Sequence, residues 1–150
     1  MTESVYDAMG GADAVHALAH HWHQRVLADP VVSHAFHHGF RDDHTERLAA
    51  YWAEQLGGPQ AYTRVMGDHS QVLRLHSGNG EHEEMDRRAE ACFAQAMDDA
   101  GLPDDERLRT TLTAWFHWGV ELMDSHPETP DAVPEGLPLP HFTWDGPRLD

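Results

Sequence analysis

The 150-residue sequence predicts an all-α fold. Four long stretches repeat apolar residues every three or four positions, the spacing that gives a helix one buried face. Glycine, proline and aspartate residues separate these stretches, and no alternation of apolar and polar residues indicates a strand. We therefore expect helices packed against helices with short connections between them.

The first two long helices are defined by their apolar stripes and by the residues that stop them. The first ends at the Asp-Pro pair at 29–30. The second is expected to begin near residues 42–43, because Asp43 and Glu46 have capping-box spacing, and to end at the Gly-Gly-Pro run at 57–59. The stripe of the first helix is Val15, Leu18, Ala19, Trp22, Val26 and Leu27. The stripe of the second is Leu48, Tyr51, Trp52 and Leu56.

Two further long helices follow in the second half of the chain. The third ends at Gly101 and Pro103, and the acidic run 104–106 suits the positive end of a fourth helix. The third stripe contains Met85, Ala89, Cys92, Phe93, Ala96 and Met97. The fourth contains Leu108, Leu112, Trp115, Phe116, Gly119, Leu122 and Met123.

The remaining segments have weaker patterns. Short helices are predicted at 61–65 and from about Ser70 to His76. Six of the nine prolines lie at or after residue 127, so we expect a helical domain over 1–126 and an extended, proline-rich segment over 127–150. The apolar residues that can hold this segment against the core are Leu137, Leu139, Phe142 and Trp144.

Composition excludes several classes of partner. Twenty-six acidic and ten basic side chains give a formal charge of −16, which repels nucleic acid and anionic lipid. No signal peptide or membrane-spanning run is present, and the single cysteine, Cys92, cannot form an internal disulfide and is expected in the core. We expect a soluble, cytoplasmic protein.

Three stretches of this sequence resemble a known family. VYDAMGGADAV at 5–15, ERLAAYWAEQLGGPQAYTRVMG at 46–67 and the later leucine-rich stretch that reaches His76 are similar to the truncated hemoglobins, most closely to their group II. The resemblance covers roughly residues 5–125. It implies a globin-like two-over-two sandwich, in which helices B and E cross helices G and H around one b-type haem that binds O₂, CO or NO.

The resemblance implies that His76 is the proximal ligand of the haem iron. Chemically, a neutral imidazole on one axial position holds the metal and leaves the other position open. A residue at the end of a helix has another possible role, which is a hydrogen bond to a backbone carbonyl. His69 is the nearest rival ligand, and the resemblance places it at a position that does not ligate.

The resemblance also assigns the distal side. His23 takes the helix B position that often holds a tyrosine, Phe36 packs on the haem, and His44 and Leu48 face the ligand from helix E. Ala89 stands where group II usually has a tryptophan, so this chain departs from the family there and at His23. The two histidines are expected either to replace the missing donors with imidazole N–H groups or to bind the iron themselves, which would give a six-coordinate resting state.

Four further residues complete the predicted cofactor contacts. Arg47 and Tyr62 match positions that reach haem propionates, and a guanidinium suits a carboxylate well, although an exposed arginine can equally be solvated. Leu75 and Phe93 are expected to line the haem.

The other histidines are expected at the surface. His16, His20 and His23 share one helical face that can take up zinc adventitiously, but no paired-cysteine motif supports a structural site. The histidines expected to be solvated are His20, His21, His34, His37, His38 and His82.

Three classes of function remain open from the sequence. The first is reversible binding of diatomic ligands, chiefly O₂, for binding, delivery or NO detoxification, with a reductase as a possible partner. The second is a peroxidase-like haem enzyme that uses His23 or His44 as acid and base. The third is a helical sensing or interaction module without a cofactor.

Overall fold

The computed structural model describes residues 3–36, 42–77, 82–125 and 128–148, which are largely helical. The α-helices are α1 (Val5–Met9), α2 (Ala12–Ala28), α3 (His44–Gln55), α4 (Ala61–Val65), α5 (His69–His76), α6 (Glu83–Asp99) and α7 (Glu106–Met123). Short 3-10 helices cover Val32–Phe36 and Pro130–Ala132, and a hairpin is formed by β1 (His141–Thr143) and β2 (Gly146–Arg148). The predicted all-α class is confirmed.

The predicted stop and start signals act through hydrogen bonds at the helix ends. The Asp29 amide donates to the Val26 carbonyl as α2 ends, and the Asp29 carboxylate accepts from the Val31 and Val32 amides at 2.8 and 3.0 Å. Similarly, the Asp105 carboxylate accepts from the Leu108 amide at 3.0 Å. Both acids therefore satisfy amides that a helix or turn leaves without an internal partner.

The capping box predicted at Asp43 and Glu46 is wrong. Asp43 precedes α3 with φ −97° and ψ 13°, and its side chain makes no capping hydrogen bond. An N-cap side chain reaches the first turn from an extended backbone, which Asp43 does not adopt. The box lies instead at α5, where Asp68 is extended and accepts from the Gln71 amide at 2.8 Å.

The long helices form two layers around an aromatic core. Helix α2 packs against α3 and α6, while α6 also packs against α7. Between the layers, Trp52 of α3 meets Trp115 and Phe116 of α7 at ring-centroid distances of 5.3 and 6.2 Å. Phe93 of α6 stacks on Phe116 at 4.3 Å. The two-over-two arrangement thus follows from large rings that each buried face contributes.

The prediction that the chain contains no strand is wrong for its last part. Phe142 pairs with Pro147 and Thr143 pairs with Gly146 in an antiparallel hairpin closed by two residues. Gly146 has φ +114°, a conformation that favours glycine. Strands of three residues, one containing proline, are too short to show an alternating pattern.

One residue of the predicted stripe in α2 faces outward. Leu27 is 44% exposed, whereas Val26 beside it is fully buried. The other stripe residues of α2 lie in the core or against it. No α-helix in the described ranges is both long and apolar enough to cross a bilayer.

The core position of Leu112 predicts a large stability difference from Leu27. Leu112 on α7 has no exposed surface, so Leu112→Ala should lower the free energy of unfolding by about 2–5 kcal/mol. Leu27→Ala is the matched control and should cost less than about 1 kcal/mol. Urea unfolding followed by circular dichroism measures both, and equal losses would contradict the assigned core.

Candidate functional site

His76 is the last residue of α5, and a backbone carbonyl sets its tautomer. Its Nδ1 atom lies 2.8 Å from the Val72 carbonyl oxygen. Because a carbonyl can only accept, Nδ1 carries the hydrogen, and in the neutral ring the lone pair lies on Nε2. This is the form in which an imidazole binds a metal through Nε2.

The surroundings of His76 favour the neutral ring. The His76 side chain is exposed at the surface, but the protein around the ring desolvates it and thereby lowers its pKa. The Val72 hydrogen bond and the charge of Asp124 oppose this shift. The neighbouring Leu75 is 79% exposed. A neutral imidazole beside an exposed leucine suits an apolar ligand that also presents a metal.

His69, the rival ligand, begins the same helix but has a different environment. It is buried, and its Nδ1 atom is 2.9 Å from the Tyr51 hydroxyl. The two rings are nearly parallel, with centroids 6.2 Å apart. Burial lowers the pKa of His69 and raises that of Tyr51. His69 is thus a core residue that joins α5 to α3.

The contact between Tyr51 and His69 is a common reference point for the two sides of the candidate site, which are His76 on α5 and His44 on α3. His76 lies seven residues beyond His69 on α5, and His44 lies seven residues before Tyr51 on α3. At a rise of 1.5 Å per residue, each histidine is about 10 Å along its own helix from the junction. The structure therefore holds His44 and His76 on different helices at similar distances from a common point.

Three of the predicted distal residues lie together. The ring centroid of His23 is 4.6 Å from that of His44 and 6.1 Å from that of Phe36. The centroids of Phe36 and His44 are 5.4 Å apart. These residues come from α2, the 3-10 helix Val32–Phe36 and the start of α3. The arrangement combines two imidazoles with one apolar ring.

His23 is buried, so its grouping with His16 and His20 on a zinc-binding face is wrong. Only 2% of the residue is exposed, and Nδ1 is 3.0 Å from the Thr45 hydroxyl oxygen. Burial, followed by the charges of His44 and His20, lowers its pKa to about 3. At neutral pH His23 is therefore an uncharged hydrogen-bonding group and a weak base.

Two neighbours of the distal group were not predicted as site residues. Thr45 contacts His23, and Trp22 lies 5.4 Å from the His23 ring while its indole Nε1 donates to the Ala89 carbonyl at 3.1 Å. An indole from α2 thus lies against the helix position where the family usually has a tryptophan. The position of Trp22 in the apolar stripe of α2 indicated core packing and gave no signal for its contact with Ala89.

The remaining predicted cofactor residues have varied surroundings. Leu48 is half-buried on α3, and Phe93 is buried in the aromatic core. Arg47 donates to the Met66 carbonyl at 2.8 Å, and its guanidinium lies 5.9 Å from the ring centroid of Tyr62, which is itself buried. Arg47 and Tyr62 are therefore close together. Their roles toward haem, and those of Leu48 and Phe93, remain predictions.

His82 was expected to be solvated, but it is half-buried and lies between two carboxylates. Its Nδ1 is 2.9 Å from an Asp86 oxygen and its Nε2 is 3.4 Å from an Asp124 oxygen. Desolvation, with the hydrogen bond to and the charge of Asp124, raises the pKa of Asp86 to about 7. The cluster joins the start of α6 to the end of α7. His37 and His38 lie outside the described residues.

Comparison with known proteins identifies the class. Residues 4–118 match the bacterial-like globin family. Over 102 residues the chain is 28% identical to the group 1 truncated hemoglobin GlbN of Mycolicibacterium paratuberculosis, covering 68% of this chain and 71% of that relative.

Solved structures of hemoglobins share the fold. A group II truncated hemoglobin from Bacillus anthracis has a TM-score of 0.70 and 22% identity, covering 85% of this chain and 95% of its own. A thermostable hemoglobin from Thermobifida fusca has a TM-score of 0.68 and 26% identity, covering 84% and 100%.

The two helical layers and the histidine-bearing helices define a globin. The chain belongs to the bacterial-like globins, the family of the truncated hemoglobins, which confirms the resemblance found in the sequence. Family membership implies a haem-binding protein. The tautomer of His76, the exposed Leu75 and the imidazole group on α2 and α3 fit that cofactor.

The buried, neutral His23 predicts a loss of stability in acid. In the unfolded chain this histidine takes up a proton near pH 6.5, whereas in the fold it does so only near pH 3, so the free energy of unfolding falls as pH drops below about 6.5. The contribution is at most about 1.4 kcal/mol per pH unit. Urea unfolding between pH 7.5 and 5 should show a shallower pH dependence for His23→Gln than for wild type.

The exposed His16 provides the control for this measurement. The slope of stability against pH for His16→Gln gives the comparison for an exposed histidine, whose Nε2 lies 3.7 Å from a Glu46 oxygen. The same slope for His23→Gln and wild type would contradict the buried, uncharged state of His23.

Proposed function

We propose that this globin reversibly binds O₂ and other diatomic ligands, with His76 as the axial ligand of haem iron. The observation that carries the proposal is the His76 Nδ1 hydrogen bond to Val72, which leaves the lone pair on Nε2. His69 is the other histidine considered for this role, and its bond to Tyr51 lies within the core.

Non-covalent haem b is the form of cofactor that we propose. Covalent c-type attachment uses a C-x-x-C-H motif, and this sequence has one cysteine. Cys92 is buried, and burial raises the pKa of its thiol, so it also lacks the character of a thiolate ligand.

The distal group is suited to hold a polar diatomic ligand. Haem bound through His76 would supply an iron site for such a ligand. His23 and His44 are proposed to offer N–H groups, and the apolar ring of Phe36 lies against both imidazoles. A hydrogen bond to a partly negative ligand contributes about 1 kcal/mol, which slows release.

Arg47 and Tyr62 are proposed to reach the haem propionates. Their proximity places a guanidinium and a phenol in one region beside α4.

A reductase partner is proposed for NO detoxification, because that reaction would need an electron donor.

A peroxidase-like function is the second candidate, and it would depend on His44. A histidine with a pKa near 3 is a poor proton acceptor at neutral pH, which makes His23 unsuitable as a general base. His44 is half-buried at the start of α3 and lies against both other distal rings. Its position is compatible with an exchange of protons with a ligand.

Replacing His76 tests the axial assignment. His76→Gly should lose the absorption spectrum of a histidine-ligated ferrous haem and bind haem more weakly, and added imidazole should restore the spectrum by occupying the vacated position. His16→Gly is the control and should match wild type. A wild-type spectrum in His76→Gly without imidazole would overturn the assignment. Absence of a Soret band in wild type after haem addition would favour the cofactor-free alternative.

Replacing His44 separates the two functions. If His44 donates one hydrogen bond to a ligand, His44→Ala should speed O₂ release by up to about tenfold. If it is an acid-base catalyst, turnover of hydrogen peroxide with an electron donor should fall at least about 100-fold. Stopped-flow ligand release and steady-state turnover measure these rates. No change in either would remove His44 from the distal site.

A further inference from the structure

We propose that Ser70 and Arg74 are positioning residues for His76, because they attach α5 to the segment 128–148. This inference rests on the proposed function, in which His76 binds the iron. It assigns a role to a segment that lies outside the residues 4–118 matched by the globin family.

Two hydrogen bonds join α5 to this segment. The Leu137 amide donates to the Ser70 hydroxyl oxygen at 3.0 Å, and Arg74 donates through Nη2 to the Val133 carbonyl at 3.4 Å. Ser70 and Arg74 are four residues apart, so they share one face of the helix. Ser70 is 1% exposed, which means that its bond to Leu137 is shielded from water.

The segment is itself attached to the rest of the protein. Val133, Leu139 and Phe142 are buried. Farther along, the Trp144 indole donates to the Glu3 carbonyl at 2.7 Å, and the Arg107 guanidinium lies 4.5 Å from the ring centroid of Trp144. These contacts hold the segment at residues 133–142 and again at Trp144, so it can act as a fixed support for α5.

Helix α5 needs such support. It contains eight residues, and a helix of that length is unstable in isolation. Its buried residues are His69, Ser70 and Leu73, whereas Leu75 and His76 at its end are exposed. Besides the Tyr51–His69 bond at its start, α5 packs against α7 and the 128–148 segment. Of the two hydrogen bonds from α5 to this segment, the one from Arg74 lies nearer in sequence to His76.

The position of α5 determines where His76 Nε2 lies. The ring is oriented by the Val72 carbonyl, which belongs to the same helix. A shift or fraying of α5 would therefore carry the carbonyl and the ring together and change the approach of Nε2 to the iron. The two bonds to the segment limit this movement.

The test compares Arg74→Ala and the double variant Ser70→Ala/Arg74→Ala with wild type, all as full-length haem-loaded protein. Hydrogen exchange of peptides covering 69–77 should become about tenfold faster in the double variant, the factor expected when one or two hydrogen bonds are lost. In the ferrous protein, the iron–histidine stretching band should shift or broaden. Arg74→Lys keeps a donor and should recover part of the wild-type behaviour.

Two controls separate positioning from a general loss of stability. Arg64→Ala removes an exposed arginine from α4 and should leave both measurements unchanged. Leu112→Ala destabilises the core and should leave the iron–histidine band in place. Faster exchange with an unchanged band in the double variant would overturn the positioning role, and so would no change in either measurement.

The His76→Gly variant distinguishes failure of this inference from failure of the proposed function. An iron–histidine band that survives in His76→Gly rejects His76 as the ligand, and positioning of a ligand by Ser70 and Arg74 is then rejected with it. Loss of the band in His76→Gly, combined with wild-type behaviour of the double variant, rejects the positioning role alone.

Discussion

The hydrogen bond from His76 Nδ1 to the Val72 carbonyl is the interaction on which the candidate site depends. It joins the last residue of α5 to a carbonyl one turn earlier, sets the tautomer and orients the ring. His69, at the other end of the same helix, has the same side chain but bonds to Tyr51 inside the core. The two histidines therefore differ in their surroundings, and the proposal that His76 binds iron rests on that contrast.

The other side of the site is governed by burial. His23 lies between α2 and α3, where desolvation and the neighbouring His44 keep it uncharged. An uncharged imidazole can form a hydrogen bond with a neutral or partly negative ligand, but at neutral pH it does not readily take up a second proton. This balance supports ligand binding over proton transfer for His23. It leaves acid-base chemistry, if present, to His44.

Attachment of α5 links the site to the last part of the chain. An eight-residue helix gains stability from the surfaces it packs on, and here one of those surfaces is the 128–148 segment. The segment is anchored by buried apolar residues and by the bond from Trp144 to Glu3. In this chain, α5 lies within the family match and thus packs on residues beyond that match.

The sequence by itself determined the four long helices, because apolar spacing and stop residues are local, and the short α4 and α5 also lie close to where they were predicted. The group of His23, His44 and Phe36 was predicted through the family resemblance.

Tertiary structure decided which groups meet: Thr45 with His23, and Trp22 with Ala89, are 22 and 67 positions apart. It also decided that Leu27 is exposed and that Asp43 does not cap α3. Periodicity reports which face of a helix is apolar, whereas the partner of a polar group depends on how helices cross.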